Sequence, residues 1–236
     1  MAELIVSLDT DDRKSAENLI EKLGTLVEYY KIGPIPLLAF GTQFIEYLSK
    51  TGKKVFLDLK FFDIPNTVEM AVYNSCKLNI SMLTVHILGG KKMLKAAISG
   101  RNKSDSNTKI IGVTILTSFS QEEIEEAGMQ GEIDSNILRL ADIAFETGLD
   151  GIVCSAKELR FLRKKFPQSF LMVCPGIRPD GTSCDDQKRT STVGQAIKDG
   201  ADFLVVGRPI IESNNPGEVV RQIKKEIMEN EYGKST

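Results

Sequence analysis

The sequence predicts an α/β protein: one (β/α)8 barrel in a single domain that spans residues 1–236. Eight short apolar strands alternate with amphipathic helices along the whole chain, as in such barrels. Charged and hydroxyl side chains follow several of these strands, at the end where barrels carry functional groups. An open doubly wound sheet is the alternative, but the first strand leads into Asp9-Thr10-Asp11-Asp12-Arg13 rather than a glycine-rich dinucleotide fingerprint.

The strands are recognised by short apolar runs and the helices by apolar residues three or four positions apart. The predicted strands are Leu4–Asp9, Glu28–Gly33, Lys54–Lys60, Met82–His86, Lys109–Leu116, Gly151–Cys154, Phe170–Cys174 and Phe203–Gly207. The predicted helices are Ser15–Leu23, Pro36–Ser49, Thr67–Leu78, Met93–Ile98, Ile133–Thr147, Ala156–Lys165, Val193–Asp199 and Pro216–Met228. The segment Asn230 to Thr236 is expected to be frayed.

Composition excludes several classes of partner. With 30 Lys and Arg against 32 Asp and Glu, and with no long basic run, the chain is not expected to bind nucleic acid. No apolar run approaches the roughly 20 residues of a membrane span, and the N-terminus begins with a strand rather than a signal peptide. These features predict a cytoplasmic protein without a membrane partner.

The cysteines and the single histidine do not form a metal-binding pattern. No CxxC spacing occurs, and His86 has no second imidazole to join it, so we expect no metal site. A metal at His86 would need a carboxylate such as Asp58, and a structural, hydrogen-bonded histidine is the favoured interpretation. Reduced and mostly buried thiols are expected at Cys76, Cys154, Cys174 and Cys184.

The stretch from Phe56 to Thr67 carries the main candidate site. Side chains alternate along a strand, so Asp58 and Lys60 point to the same face, away from their apolar neighbours. Pro65 suits the first turn of a helix, which gives the order strand, charged loop, helix. An isolated Asp-x-Lys pair is usually an ordinary ion pair, and its context decides its meaning here.

Lys60 has Asp58 two positions before it and Asp63 three positions after it. Opposite charges nearby favour the ammonium form of a lysine, whereas a Schiff-base nucleophile requires the neutral amine. The pattern therefore predicts that Lys60 donates a proton or holds an anion.

Other polar residues follow the neighbouring strands. Asp9 closes the first predicted strand and Lys31 lies near the end of the second, so they can join Asp58 and Lys60 in an array of alternating charges. Thr117 and Ser118 follow the fifth strand. Each residue alone could be a solvated strand end, but together they indicate one functional mouth of the barrel.

A second group of residues near the C-terminus indicates a phosphorylated ligand. The run from Pro175 to Gly181, which includes Arg178, opens a polar segment that continues to about Thr192. This is long for a strand-helix connection, so the loop 176–192 is a candidate lid. Gly207 and Arg208 follow the eighth strand, and barrels often bind phosphate in the loops after strands seven and eight.

The run Asp58-Leu-Lys60-x-x-Asp63-Ile-Pro-Asn66-Thr67 resembles the catalytic signature of the orotidine 5'-phosphate decarboxylase family. The resemblance extends from Asp9 to the helix after Pro209. It implies the conversion of orotidine 5'-phosphate (OMP) to UMP in de novo pyrimidine biosynthesis, without a cofactor. Phe62 departs from the pattern, because many members carry histidine there and any polar role of that side chain is lost.

The resemblance also implies residue roles and a homodimer with shared active sites, in which Asp63 and Thr67 enter the site of the neighbouring subunit. The implied catalytic residues are Lys60, Asp58, Asp63 and Lys31. The implied substrate-binding residues are Asp9, Lys31, Thr67, Thr117, Arg178, Gln187, Gly207 and Arg208, with Thr117 at the pyrimidine and the last four at the phosphate.

Two other functions stay open. Hexulose-phosphate synthases and keto-gulonate-phosphate decarboxylases share the Asp-x-Lys-x-x-Asp pattern but act on open-chain sugar phosphates with magnesium. A catalytically silent nucleotide-binding barrel is the other alternative. The segment Ile64 to Thr67 argues against the first, and the complete set of charges argues against the second.

Overall fold

The computed structural model describes residues 1–179 and 191–232. In these residues eight parallel strands close a barrel in the order β1-β2-β3-β4-β5-β6-β7-β10. Its strands are β1 (Glu3–Ser7), β2 (Tyr29–Ile32), β3 (Lys54–Phe61), β4 (Met82–His86), β5 (Lys109–Val113), β6 (Gly151–Val153), β7 (Leu171–Cys174) and β10 (Phe203–Val206). The predicted fold class is confirmed.

A short parallel pair lies outside the barrel, formed by β8 (Ile177–Arg178) and β9 (Ser191–Thr192). Ile177 pairs with Ser191 and Arg178 with Thr192. This pair fixes the two ends of the segment that the sequence identified as a candidate lid. Residues 180–190, which make up most of that segment, lie outside the described residues.

Helices surround the barrel and mostly follow the predicted pattern. They are α1 (Arg13–Leu23), α2 (Pro34–Phe40), α3 (Thr42–Lys50), α4 (Pro65–Cys76), α5 (Gly90–Lys103), α6 (Gln121–Glu126), α7 (Ile133–Thr147), α8 (Leu159–Lys165), α9 (Val193–Asp199), α10 (Arg208–Ile211) and α11 (Pro216–Tyr232). α4 begins at Pro65 after an extended Ile64, as the restricted geometry before proline requires.

The helices differ from the sequence prediction in several places, for example in α5, which runs over Gly90–Lys103 rather than Met93–Ile98. The helix expected over Pro36–Ser49 is divided at Gly41, whose φ of 69° is accessible to glycine and ends α2. The short α6 was not predicted, although Ser120 and Glu123 form a capping box at its start. α11 continues to Tyr232, so the first part of the segment expected to be frayed is helical, and Asn230 Nδ2 donates a hydrogen bond to the Glu226 carbonyl.

The apolar core has two layers. The larger layer fills the space between the strands and the surrounding helices. The smaller one fills the barrel itself, with one side chain from each of six strands: Ile5, Phe56, Met82, Ile111, Val173 and Val205. Residues at alternate positions of these strands point inward, so the barrel interior is a packed apolar floor rather than a channel.

The cysteine prediction is confirmed for the described residues: Cys76, Cys154 and Cys174 are buried free thiols. Cys184 lies outside the described residues. None of the helices in the described parts of the chain combines the length and apolar character needed to cross a membrane.

Candidate active site

Four charged side chains form a continuous array at the C-terminal mouth of the barrel. Lys31 Nζ lies 3.1 Å from Asp9 Oδ1 and 3.6 Å from Asp58 Oδ2, and Lys60 Nζ lies 2.9 Å from Asp58 Oδ2. Negative and positive groups therefore alternate across the ends of β1, β2 and β3, which are neighbours in the sheet. The predicted array of Asp9, Lys31, Asp58 and Lys60 is confirmed as an arrangement in space.

Asp58 is the most enclosed member, with 12% of its side chain exposed. Burial would raise the pKa of the Asp58 carboxyl, but the positive charges of Lys31 and Lys60 and the hydrogen bonds from Lys60 and Thr84 outweigh it. The pKa is therefore held below its ordinary value of 3.8. Asp58 is a buried carboxylate that stays ionised at neutral pH.

The backbone at Lys60 departs from regular strand geometry. Its φ is 50°, in the left-handed region that costs a residue with a side chain roughly 1–2 kcal/mol. The register between β3 and β4 shifts between Leu57 and Phe61, so Lys60 sits in an irregular part of the ladder. The strand nevertheless brings Asp58 and Lys60 to the same face, as alternation predicts.

A cavity of about 270 Å³ opens above the apolar floor of the barrel. Its polar lining includes the whole array and Thr117, which follows β5. The opposite wall is supplied by the segments after β7 and β10. The remaining lining residues are Ser7, Phe56, Val113, Ile115, Leu116, Val153, Val173, Pro175, Gly176, Arg178, Val205, Gly207 and Arg208. One open cavity therefore contains both the charged array and the two arginines.

Gly207 marks the point where the two sides of the cavity meet. A Cβ atom at this position would lie 3.3 Å from Ser7 Cβ and 3.7 Å from Asp9 Oδ2. The missing side chain thus lets the turn after β10 approach the end of β1 closely. Arg208 begins α10 directly after this glycine, and Arg178 is held on the short β8 strand.

Two of the predicted site residues that the structure describes, Asp63 and Thr67, do not line this cavity. Asp63 is exposed and its Oδ1 accepts a hydrogen bond from the Ile64 backbone N–H at 2.6 Å. Thr67 is exposed in the first turn of α4. Within the described residues neither lines the cavity of its own chain. Gln187 lies outside the described residues.

His86 corrects one expectation. A hydrogen-bonded structural histidine was predicted, yet its buried Nδ1 has no hydrogen-bond partner in the described part of the chain. Instead the imidazole packs against Phe62, with ring centroids 5.6 Å apart. Burial, with a smaller contribution from the Lys60 charge, lowers the pKa of His86 below 6.5. The histidine is therefore a neutral aromatic neighbour of the array.

Sequence reasoning missed two hydroxyl residues that contact the array. Ser7 Oγ donates a hydrogen bond to Asp9 Oδ2 at 2.7 Å. Thr84 Oγ1 donates one to Asp58 Oδ1 at 3.0 Å and accepts one from the Lys60 backbone N–H at 2.8 Å. Ser7 could have been found from its position two residues before Asp9, on the same strand face. The contacts of Thr84 depend on an irregular register that the sequence does not reveal.

The fold and the site together define a class of protein. A closed barrel that carries an Asp-x-Lys pair at the mouth of its third strand, beside a cavity with two arginines, is a (β/α)8-barrel enzyme. In the described residues, no group of three or more His, Cys, Asp and Glu side chains is arranged to hold a metal ion.

The chain belongs to the orotidine 5'-phosphate decarboxylase / HUMPS family, whose model matches residues 2–223. It is 42% identical over 225 residues to an orotidine 5'-phosphate decarboxylase of Legionella pneumophila (strain Lens), covering 95% of this chain and 98% of that protein. A protein of the same name from Hahella chejuensis is 42% identical over 224 residues, covering 95% and 96% of the two chains.

A solved structure gives the same relationship in three dimensions. The crystal structure of orotidine 5'-phosphate decarboxylase from Lactobacillus acidophilus matches with a TM-score of 0.87 and 35% sequence identity. The match covers 96% of this chain and 99% of that one. Fold and sequence relationships therefore agree over nearly the whole chain.

Proposed function

We propose that this protein decarboxylates OMP to UMP in cytoplasmic de novo pyrimidine biosynthesis and that Lys60 donates the proton that replaces the carboxylate. The observation that carries this proposal is the contact of 2.9 Å between the Lys60 ammonium and the buried Asp58 carboxylate, inside a cavity that also contains Arg178 and Arg208. Family membership and the names of the relatives support the class of carboxy-lyases.

The reaction breaks the bond between C6 of the pyrimidine and its carboxylate. Carbon dioxide leaves, and the electron pair of the broken bond stays on C6 as a carbanion. Lys60 stabilises this developing negative charge because its ammonium group faces the cavity, and it then transfers a proton from Nζ to C6. The products are carbon dioxide, UMP and a neutral lysine that regains a proton from solvent.

Asp58 has two tasks in this scheme. Its carboxylate accepts the hydrogen bond from Lys60 Nζ and so fixes the direction of the proton donor. Because Asp58 stays ionised, it also repels the substrate carboxylate and is relieved of that repulsion as carbon dioxide leaves. Lys31 extends the array and reduces the cost of keeping Asp58 charged, since it contacts both Asp58 and Asp9.

Binding energy comes from parts of the substrate that do not react. Arg178, Gly207 and Arg208 suit the phosphate, because arginine offers paired donors and the glycine allows close backbone approach. Thr117 suits the pyrimidine, and Asp9 and Lys31 suit polar groups nearer the ribose. Energy gained at the remote phosphate offsets the placement of two carboxylates close together. Gln187 is proposed as a further phosphate ligand from the family pattern alone.

A homodimer with shared sites is part of this proposal. Asp63 and Thr67 face solvent in the single chain, and Asp63 stands between two exposed apolar side chains, Phe62 at 61% and Ile64 at 67% exposure. Large apolar residues on an exposed loop favour an interface. The neighbouring subunit would receive Asp63 beside its Lys60 and Thr67 beside the substrate.

The decisive experiment follows the absorbance change as OMP is consumed by the purified protein in the presence of EDTA. Turnover to UMP is expected, and Lys92→Ala, an exposed lysine on α5, serves as a control with unchanged rate. A sugar-phosphate enzyme that depends on magnesium would leave OMP intact, and a silent binder would hold UMP without producing it. Either outcome would overturn the proposal.

A further inference from the structure

Thr84 connects the two reactive residues of β3 from the adjacent strand. It lies on β4 and is completely buried, with 0% of its surface exposed. Its hydroxyl proton goes to Asp58 Oδ1 at 3.0 Å, and its oxygen accepts the Lys60 backbone N–H at 2.8 Å. One hydroxyl group therefore holds the carboxylate of one residue and the backbone of the other.

The backbone contact matters because Lys60 is in an unfavourable conformation. In the irregular part of β3 the Lys60 backbone N–H donates a hydrogen bond to the Thr84 hydroxyl. Left-handed geometry at a residue with a side chain persists only when its surroundings hold it. The hydroxyl of Thr84 supplies such a constraint at the residue whose ammonium must reach the substrate.

The contact with Asp58 matters because it fixes the second carboxylate oxygen. Oδ2 of Asp58 faces Lys60 from β3 and Lys31 from β2, and Oδ1 faces Thr84 from β4. The carboxylate is thus restrained from three adjacent strands. If the Thr84 hydroxyl were removed, the buried Asp58 Oδ1 would lose this hydrogen bond. The Asp58 carboxylate would then be free to rotate away from Lys60.

We propose that Thr84 is a positioning residue for the reaction: its single hydroxyl locks the Asp58 carboxylate and the Lys60 backbone into the geometry that aims the proton donor at the substrate. Thr84 does not line the cavity in the described part of the chain, so it acts through its two neighbours. The inference rests on the proposed function, because the property it explains is the turnover of OMP.

Two substitutions separate the hydroxyl from the size of the side chain. Thr84→Val keeps the shape and removes the hydroxyl, and it is expected to lower kcat by about 10-fold to 100-fold, because small misplacements of reacting groups cost this much. The dissociation constant for UMP should change by less than about 3-fold, because the arginines are untouched. Thr84→Ser restores the hydroxyl and is expected to bring kcat within about 3-fold of the native value.

The acid limb of the kcat profile provides a second readout, taken only at pH values where circular dichroism shows both the native protein and the variant to be folded. Removing the hydroxyl deletes one contact that lowers the pKa of Asp58, so this limb should shift to higher pH in Thr84→Val. Lys31 and Lys60 still face Asp58 in this variant, so the shift is partial.

Thr108→Val is the matched control. Thr108 is also buried, and its hydroxyl contacts the Ile80 carbonyl at 2.8 Å and Ser106 Oγ at 2.7 Å, away from the array. The Thr108→Val variant loses two hydrogen bonds, as Thr84→Val does, and it should keep the native kcat.

Native kcat in folded Thr84→Val, or a Thr84→Ser variant that loses more than about 10-fold in kcat, would overturn the positioning role. If Thr84→Val does not fold, Thr84→Ala takes its place as the variant without the hydroxyl, and native kcat in Thr84→Ala would overturn the role in the same way. Absence of turnover in the native protein would instead refute the proposed function, so the two failures are distinguishable.

Discussion

Lys60 Nζ and Asp58 Oδ2 are 2.9 Å apart although the two side chains differ in exposure, 36% for the lysine and 12% for the aspartate. The cation therefore stands at the border of the cavity while its anionic partner is enclosed behind it. This arrangement leaves the Lys60 ammonium group facing the cavity. The contribution of each residue can therefore be separated by substitution.

Lys60→Ala is expected to reduce kcat for OMP decarboxylation by at least about 10³-fold, because it removes the only proton donor in the proposed scheme. Binding of UMP should stay within a few-fold of native, since the arginine side of the cavity is unchanged. The measurements are the absorbance assay and a UMP titration, with Lys92→Ala as the control. A Lys60→Ala variant with near-native turnover would exclude the proton-donor role.

Arg208→Ala is expected to weaken UMP binding by about 1.5–3 kcal/mol, the range for a hydrogen bond to a charged group. Binding of uridine, which lacks the phosphate, should not change. Arg221→Ala on the exposed face of α11 is the control arginine. Equal losses for UMP and uridine would mean that Arg208 acts on the fold rather than on the phosphate.

Mixing inactive Lys60→Ala with inactive Asp63→Ala chains is expected to restore activity. In a dimer with shared sites, each mixed pair contains one site with native Lys60 and native Asp63, and the other site carries both defects. Equal mixing with free exchange should therefore give about a quarter of the native activity.

The control for this experiment is a mixture of Lys60→Ala and Asp58→Ala chains. Both residues reach the cavity from the same strand of one chain, so no native site can form. If subunits exchange and the first mixture recovers no more than this control, Asp63 acts within its own chain.

The titration of His86 gives a test independent of activity. His86 is the single histidine of the chain, so one imidazole signal in a proton NMR spectrum reports it. Burial and the Lys60 charge lower its pKa, so the midpoint should lie below 6.5 in the native protein and rise toward that value in Lys60→Ala.

The same depressed pKa predicts how stability depends on pH. Between the folded and the unfolded pKa the unfolded chain binds more protons at His86, so stability falls as pH is lowered from about 6.5 through the folded pKa. Urea unfolding of the native protein and of His86→Gln over this range measures the contribution. A His86 titration midpoint at or above pH 6.5 in the native protein would contradict the argument that burial lowers its pKa.

Much of the site followed from the sequence because it depends on simple periodicity. Alternation along one strand placed Asp58 and Lys60 on one face, and the rule that barrel sites lie at strand C-termini brought Asp9 and Lys31 to them. Both inferences need only the position of a residue in its strand, and the structure has all four side chains in contact.

What sequence could not predict depends on local irregularity. The bridge from Thr84 to Lys60 requires the register shift between β3 and β4, and the break between α2 and α3 requires the left-handed backbone of Gly41. Asp63 and Thr67 show another limit, because their proposed role needs a second chain. Alternation along a strand predicts the face on which a side chain lies. It does not predict where the strand register shifts or which residues contact a second chain.

The close contact between Gly207 and the end of β1 joins two groups of site residues that can change separately in evolution. The charged array is built on β1 to β3 and supported by β4, the two arginines follow β7 and β10, and the two groups adjoin along the pairing of β1 with β10. Apart from this contact at Gly207, the two groups lie on different strands and are encoded in separate stretches of the chain. After gene duplication, substitutions in β1 to β3 change the reacting groups and leave the proposed phosphate contacts in place. Selection for a new reaction then starts from a protein that retains the proposed phosphate site.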